Sequence, residues 1–235
     1  MTGDEIKIAE RQIGDSRVIE SLTQTVQCEN RRLTTVQKWL MATVLTGVTC
    51  LAAQLSAKLP FTPVPVTMQV FAVLLSGLLL GSRWGAVVQV QYLLLGFSGA
   101  PVFALGTGGI SVLLFPHVTG GYLLSYPLAA FLVGWISERA EKRQHERQAA
   151  TQPAYPIPDH SGIASLRGRM LACGAGLIVI YGFGCTWLAF LSRPLLTPLQ
   201  AVILGAGWFV AWDACKALAA VAVVQKLRRR SSRVR

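Results

Sequence analysis

Long apolar runs, separated by short polar or proline-rich stretches, dominate the chain after residue 36. A helix needs about 20 apolar residues to cross the hydrocarbon core of a bilayer, and six runs approach or reach that length. They cover residues 37–57, 66–81, 84–97, 120–136, 171–191 and 198–225. The pattern predicts an all-α polytopic membrane protein with six transmembrane helices.

The connections between the runs predict how neighbouring helices pair. Three prolines within residues 60–65 exclude a continuous helix between the first two spans, so this stretch is predicted as a loop. Residues 81–84 leave room only for a turn, which predicts a tight antiparallel hairpin of the second and third spans. The glycine-rich stretch 96–109 lies in a region without charge from Arg83 to Glu138, and we expect it to fold back onto the protein.

Composition supports a membrane protein, because 52% of the 235 residues are apolar and 14% are charged, with a mean hydropathy of +0.48. Soluble domains carry roughly 25% charged residues. The net charge of +11 would suggest a nucleic-acid partner in a soluble chain. Here nearly all the charges lie in three blocks, residues 1–38, 138–169 and 226–235, which favours a role in membrane topology over nucleic-acid binding.

The distribution of basic residues predicts the orientation. If the N-terminus is inside, the inner segments hold 19 basic residues and the outer segments hold two, Lys58 and Arg193. The positive-inside rule then predicts a multi-pass protein of the cell membrane with cytoplasmic N- and C-termini. No secretory signal peptide is evident, so the first span is expected to direct insertion.

Three parts follow from this topology. Residues 1–36 are predicted as a polar cytoplasmic arm, 37–226 as the six-helix membrane domain and 227–235 as a basic cytoplasmic tail. Within the membrane domain, residues 138–169 are predicted as a cytoplasmic polar linker, disordered at least in its middle. It separates four spans from two.

Asp213 is the acidic residue that lies deep in a predicted span, and such a group is by default a functional-site hypothesis. Lys216 follows three residues later, on the same helix face. A carboxylate that accepts two N–H groups, beside an ammonium that donates to a carbonyl, is complementary to a cyclic urea. The alternative is a structural ion pair that fixes the last helix.

Aromatic residues near this pair allow two interpretations. They are Tyr122, Trp187, Trp208 and Trp212. Together they offer enough area for an apolar pocket, and each alone is also typical of the interfacial aromatic belt. The five cysteines show no metal-ligand spacing and are interpreted as small buried hydrophobes, and no motif predicts a metal or a cofactor.

The motifs that carry a family resemblance lie along most of the chain. They are residues 61–69 (Phe-Thr-Pro-Val-Pro-Val-Thr-Met-Gln), 77–81, 92–96, 99–103, 106–109 and 119–124. This ordered set resembles the BioY family, the biotin-specific membrane components of energy-coupling-factor (ECF) transporters. The likeness covers residues 42–137 and resumes at 171–224, where Asp213-Ala-Cys-Lys216 stands at the family's Asp-x-x-Lys motif.

The resemblance implies a substrate-capture subunit, not an enzyme, with an outward-facing pocket roofed by the loop after the first helix. Asp213 and Lys216 would lie at the biotin head. The other implied pocket residues are Tyr122, Gly121, Thr107, Gln69 and Thr67. A capture subunit for another small vitamin, and a membrane enzyme or scaffold that uses Asp213 as an acid or base, are the alternatives.

The resemblance also implies partners, an ECF transmembrane coupling protein and ATPase subunits. The chain itself is not expected to be the ATPase, since no G-x-x-x-x-G-K-[ST] motif occurs in it. Ala42 and Thr46 match a small-x-x-x-small docking pattern on the first helix. The alternative is that Ala42 faces neighbouring helices of the same subunit. The sequence leaves open whether the protein acts alone, as a homo-oligomer or with ATPase partners.

Overall fold

The computed structural model describes residues 34–114, 117–150, 161–192, 195 and 197–233. The chain divides into two units, residues 1–38 and residues 39–235. In the described part of the first unit, Thr34 and Gln37 form a reciprocal cap: the Gln37 amide donates to Thr34 Oγ1 at 3.3 Å, and the Thr34 amide donates to Gln37 Oε1 at 3.0 Å.

Seven α-helices and one small antiparallel sheet are present in the described residues. In chain order they are α1 (Thr35–Gln54), β1 (Ser56–Ala57), β2 (Val66–Thr67), α2 (Gln69–Phe97), α3 (Ile110–Leu113), α4 (Gly120–Ala150), α5 (Ser161–Leu191), α6 (Pro198–Val202) and α7 (Val210–Arg233). A 3-10 turn spans Ala104–Gly106, and a π-helical turn spans Ile203–Gly207. The predicted all-α class is confirmed.

Gly81 folds α2 back on itself. Its φ of 80° and ψ of −173° interrupt the helix, in a conformation that glycine adopts without steric cost. The two arms, residues 69–80 and 82–97, lie against each other, because a Cβ added at Gly85 would lie 2.8 Å from Gly77 Cα. Further from the turn, Gln89 Nε2 donates to Ser76 Oγ at 3.1 Å. The predicted hairpin is therefore present.

The number of spans agrees with the prediction once this hairpin is taken into account. Four helices in the described residues are long and apolar enough to cross a membrane, and the pair Pro198–Gly207 and Val210–Leu227 adds a broken fifth. The two arms of α2 count as one of the four, so the described chain has six helical segments. The last segment differs from the continuous helix expected over 198–225, because it bends by 42° between its two parts.

α4 and α5 extend well beyond the spans predicted for them. The structure is helical to residue 150 and again from residue 161, so most of the stretch 138–169 is helix and not linker. Its Glu, Lys, Arg, Gln and Ala residues are good helix formers, and Lys142 and Glu146 form an i,i+4 pair at 3.9 Å. The predicted disordered middle falls on residues 151–160, outside the described residues.

The surface of the bundle is apolar, as the sequence predicts. Large hydrophobic side chains are exposed along α1, α5 and α7, among them Leu51 at 70% and Ile178 at 74%. The buried core lies between α2, α4, α5 and α7, around Leu74, Val133 and Ile180. An exposed apolar surface of this extent requires lipid or a partner protein around it.

Candidate functional site

A cavity of about 470 Å³ lies at the end of the bundle where α1 ends and α4 begins. Residues 58–59, 62–65, 103–105, 107 and 117–119 contribute loop walls. The remainder comes from the four long helices α2, α4, α5 and α7, together with Thr67 of β2, Val112 of α3 and Gly205 of the π-helical turn. Small-molecule sites in proteins have volumes of about 300–1,000 Å³. The cavity is therefore large enough for one small ligand.

Asp213 and Lys216 form a buried ion pair in the wall of this cavity. Lys216 Nζ lies 2.6 Å from Asp213 Oδ1, and the two side chains are 5% and 4% exposed. Asp213 lies in the first turn of α7, directly after the bend in the last segment. The spacing of three residues places both groups on one helix face, as predicted.

Each member of the pair also contacts another element. Lys216 Nζ donates to the Thr67 carbonyl oxygen of β2 at 2.6 Å. Tyr181 of α5 donates its hydroxyl to Asp213 Oδ2 at 2.5 Å. A buried ion pair repays its desolvation cost only when additional hydrogen bonds satisfy its polar atoms. Here these bonds also join α7 to β2 and α5 at the cavity.

Hydrogen-bonding capacity remains on both groups. An ammonium has three donors, and two of those on Lys216 are used by Asp213 and Thr67. A carboxylate has about four acceptor positions, and the protein contacts described above use one on each oxygen of Asp213. The pair can therefore donate one and accept two further hydrogen bonds toward the cavity.

Gln69 lies at the centre of a second cluster of polar side chains in the cavity region. Its Oε1 accepts from Thr67 Oγ1 at 3.1 Å and from the Tyr126 hydroxyl at 3.3 Å, while its Nε2 donates to the Tyr92 hydroxyl. Gln69 is 3% exposed. Because both ends of the amide are engaged, its orientation is fixed at the cavity wall.

Tyr122 and Thr107 also line the cavity. The Tyr122 hydroxyl donates to the Gly205 carbonyl at 3.0 Å, which ties α4 to the π-helical turn. Thr107 Oγ1 donates to the Ala104 carbonyl at 2.9 Å and thereby closes its own loop. Six of the seven residues predicted to bind substrate therefore line one cavity: Asp213, Lys216, Tyr122, Thr107, Gln69 and Thr67.

Gly121 is the exception and requires a correction. It does not line the cavity. A Cβ added at this position would lie 2.3 Å from Trp187 Cβ and 2.9 Å from the Phe183 carbonyl oxygen. Gly121 therefore permits the close approach of α4 and α5, and its effect on the site is through packing.

Ala42 and Thr46 also differ from the prediction of a docking surface. Ala42 is 0% exposed and Thr46 is 3% exposed. Thr46 Oγ1 contacts the Val88 carbonyl oxygen at 3.2 Å and Gln91 Oε1 at 2.9 Å, both on the second arm of α2. The small residues let α1 approach this arm. The contact observed is therefore the alternative, in which Ala42 and Thr46 face helices of the same subunit.

The aromatic residues of the cavity are not the tryptophans considered from the sequence. Trp208 and Trp212 are 60% and 58% exposed. Trp187 does not line the cavity, and its Nε1 donates to the carbonyl of His117, which does. The aromatic side chains that line the cavity with Tyr122 are Phe103, Tyr126, Tyr181 and Phe209. Tyr126 could have been found from the sequence, because it lies one helical turn after Tyr122.

The loop after α1 covers the cavity. Its position is fixed at both sides, since Thr62 Oγ1 donates to the Leu204 carbonyl at 2.7 Å and the Leu105 amide donates to Ser56 Oγ at 3.1 Å. The pairing of β1 with β2 closes the loop at its base, with Ser56 opposite Thr67. A roof formed by this loop agrees with the expectation from the resemblance.

Comparison with known proteins identifies close relatives over most of the chain. The model of the BioY family matches residues 24–233. The chain is 33% identical over 189 residues to the probable biotin transporter BioY of Pyrococcus horikoshii, covering 80% of this chain and 94% of the relative. It is 31% identical over 194 residues to the biotin transporter BioY of Thermotoga maritima, covering 83% and 97%.

A solved structure shares the fold. It is the S-component for biotin from an ECF-type ABC transporter, with a TM-score of 0.66 and 24% sequence identity. The match covers 84% of this chain and 95% of that one. The arrangement of helices described above is therefore that of a known transporter component.

Proposed function

The chain belongs to the BioY family, and from this membership and the chemistry of the cavity we propose that it is a membrane subunit that binds biotin and mediates its uptake. The relatives are named as biotin transporters and not as enzymes. The alternative of a membrane enzyme that uses Asp213 as an acid or base is therefore set aside. The protein is a multi-pass membrane protein.

The observation that carries the proposal is the buried pair of Asp213 and Lys216 in the cavity wall. The ureido ring of biotin presents two N–H groups and one carbonyl oxygen in a plane. The pair has two acceptor positions and one donor remaining, so each polar atom of the ring finds a partner. A neutral head group suits this site, because the pair already balances its own charge.

The remainder of the cavity suits the apolar part of biotin. The lining includes Val70, Val112, Leu123, Ile180 and Phe209. Such a wall favours a sulfur-containing ring and an alkyl chain over a polar ligand, since burial of apolar surface contributes about 25 cal/mol per Å². The predicted contacts of Tyr122, Thr107, Gln69 and Thr67 with biotin belong to this proposal.

The test is biotin binding by the full-length protein in detergent. Wild type should bind biotin, and Asp213→Asn should weaken binding by about 1–3 kcal/mol or more, because an acceptor becomes a donor that faces a ureido N–H. Asp213→Asn also leaves Lys216 without a charge partner, so the double variant Asp213→Asn/Lys216→Met provides a second measurement.

The double variant removes both charges and leaves no buried charge without a partner. It should remain folded by size-exclusion chromatography and lose biotin binding. Folded wild-type protein that does not bind biotin would contradict the function. A folded double variant that binds as wild type does would remove the pair from the site.

The energising partners and the orientation are part of the same proposal. An ECF coupling protein and ATPase subunits are supported by the resemblance, and the docking face remains to be found because Ala42 and Thr46 are buried. The excess of basic residues in the inner segments supports cytoplasmic termini in the cell membrane. A membrane-impermeant thiol reagent should label Phe61→Cys on intact cells, whereas exclusive labelling of Ser161→Cys would reverse the orientation.

A further inference from the structure

Lys58 is a charged residue of the cavity wall to which the motifs assign no role. It follows β1 directly, in the loop that roofs the cavity, and its side chain is exposed at the cavity rim. The ion pairs within the described residues do not include it. Its ammonium therefore has no carboxylate partner within the described part of the chain.

Lys58 gives the lining of the cavity a net positive charge. The formally charged residues among the described lining are Asp213, Lys216 and Lys58. The first two neutralise each other at 2.6 Å. One positive charge remains at the rim, so the cavity as a whole is complementary to a ligand that carries one negative charge.

The loop segments near the cavity contain no acidic residue that would offset the positive charge of Lys58. The connecting segments at this end, residues 55–68, 98–119 and 192–197, contain no Asp or Glu. They contain two basic residues, Lys58 and Arg193, although segments on the outer side of membrane proteins are generally depleted of Lys and Arg. A lysine at the rim is therefore not explained by membrane topology.

The strand pairing places Lys58 at a suitable separation from the buried pair. Ser56 lies opposite Thr67, and the Thr67 carbonyl accepts the hydrogen bond from Lys216. Lys58 follows Ser56 by two residues, so its Cα lies roughly 8 Å from that of Thr67 by strand geometry. A ligand bound at the pair by its head can extend its other end to the rim.

We propose that Lys58 binds the carboxylate of the ligand, so that the site selects a molecule with a neutral ureido head and an anionic tail. The inference rests on the proposed function, because it takes biotin as the ligand. A carboxylic acid of this kind is ionised at neutral pH, as Glu side chains are. The head then contributes the buried hydrogen bonds, and Lys58 contributes recognition of the free acid.

The experiment compares biotin with biotin methyl ester, which keeps the ureido head and lacks the charge. Full-length wild type and Lys58→Met are titrated with both ligands in detergent. Wild type should bind biotin up to about fivefold more tightly than the ester, which is the upper end of the range for an exposed charge pair. This preference should decrease with added salt.

Lys58→Met should weaken biotin binding to the level of the ester and leave binding of the ester unchanged. Lys58→Arg should retain the preference, and Lys226→Met, at the opposite end of α7, should behave as wild type. A preference that persists in Lys58→Met overturns the inference and transfers the role to another cavity residue such as His117. Equal binding of both ligands by wild type also overturns it, whereas failure of wild type to bind either ligand contradicts the proposed function itself.

Discussion

Two buried ion pairs lie in different parts of the molecule and have different surroundings. Asp213 and Lys216 belong to one helix, are nearly inaccessible and form part of the wall of a cavity of about 470 Å³. Arg169 of α5 and Glu141 of α4 pair at 3.1 Å between two helices. Glu141 borders a smaller recess of about 180 Å³.

The difference shows what distinguishes an ion pair in a cavity wall from one that only joins two helices. Burial of opposite charges is common to both, and burial alone contributes little net stability because desolvation offsets the attraction. Asp213 and Lys216 line a cavity with many apolar side chains, and the hydrogen bonds described above leave donors and acceptors on both groups. Arg169 and Glu141 instead connect two helices beyond the ends of the predicted spans, where α4 and α5 continue.

The largest expected effect is that of Lys216→Met. This substitution leaves the Asp213 carboxylate buried without its cation, and breaking a buried pair in this way costs about 3–5 kcal/mol. Thermal unfolding should therefore occur at a markedly lower temperature, and biotin binding should be lost. Lys142→Met is the matched control, because the Lys142 side chain is 80% exposed and its loss should change stability by less than about 0.5 kcal/mol.

Arg169→Met should separate stability from binding. Glu141 keeps more access to solvent than Asp213 does, with 24% of its side chain exposed, so the cost should be lower, about 1–3 kcal/mol. Biotin affinity measured on the folded protein should stay within about twofold of wild type, since neither residue lines the cavity. The exposed Arg167→Met serves as the control for loss of a positive charge.

A loss of biotin affinity in Arg169→Met, with stability unchanged, would contradict this division of roles. It would mean that the parts of α4 and α5 around Glu141 and Arg169 control the geometry of the cavity. Equal losses of stability in Lys216→Met and Lys142→Met would show instead that the pair in α7 is not the buried element that the structure describes.

The sequence predicts the parts of this architecture that depend on local spacing. The hairpin follows from Gly81 between two apolar runs, and the pairing of Asp213 with Lys216 follows from the three-residue separation on a helix. Residues 138–150 are helical and not the predicted linker, because their charge indicates exposure to water and does not exclude helix. The pattern of apolar and charged residues therefore predicts which segments contact water or lipid more reliably than it predicts where a helix ends.

Contacts between distant segments could not be predicted in the same way. Tyr181 is 32 residues from Asp213, and Lys216 is 149 residues from the Thr67 carbonyl that it contacts. The burial of Ala42 shows the same limitation, since a small-x-x-x-small pattern indicates close packing and does not identify the partner. The bend before Asp213 has no proline at its centre, and tertiary contacts such as that of Tyr122 with Gly205 accompany it.

The smallest effect is expected for Tyr181→Phe. This substitution tests whether the hydrogen bond from Tyr181 distinguishes the cavity pair from a purely structural ion pair. Tyr181→Phe removes the donor to Asp213 Oδ2 and keeps the ring. The carboxylate would then be held by Lys216 on one oxygen and would lose the contact that fixes its plane. We expect biotin affinity to fall by about 0.5–1.5 kcal/mol, roughly two- to twelvefold, with a comparable or smaller change in stability.

Ser76→Ala is the matched control, because the Ser76 hydroxyl is also buried and hydrogen-bonded, to the Val73 carbonyl and to Gln89 Nε2, and neither it nor its partners line the cavity. It should lower stability by a similar amount and change biotin affinity by less than about twofold. Equal effects of the two substitutions on affinity would mean that buried hydroxyl groups act through general stability of the fold. A loss confined to Tyr181→Phe would show that the orientation of the Asp213 carboxylate, and not its charge alone, determines how the ureido group is bound.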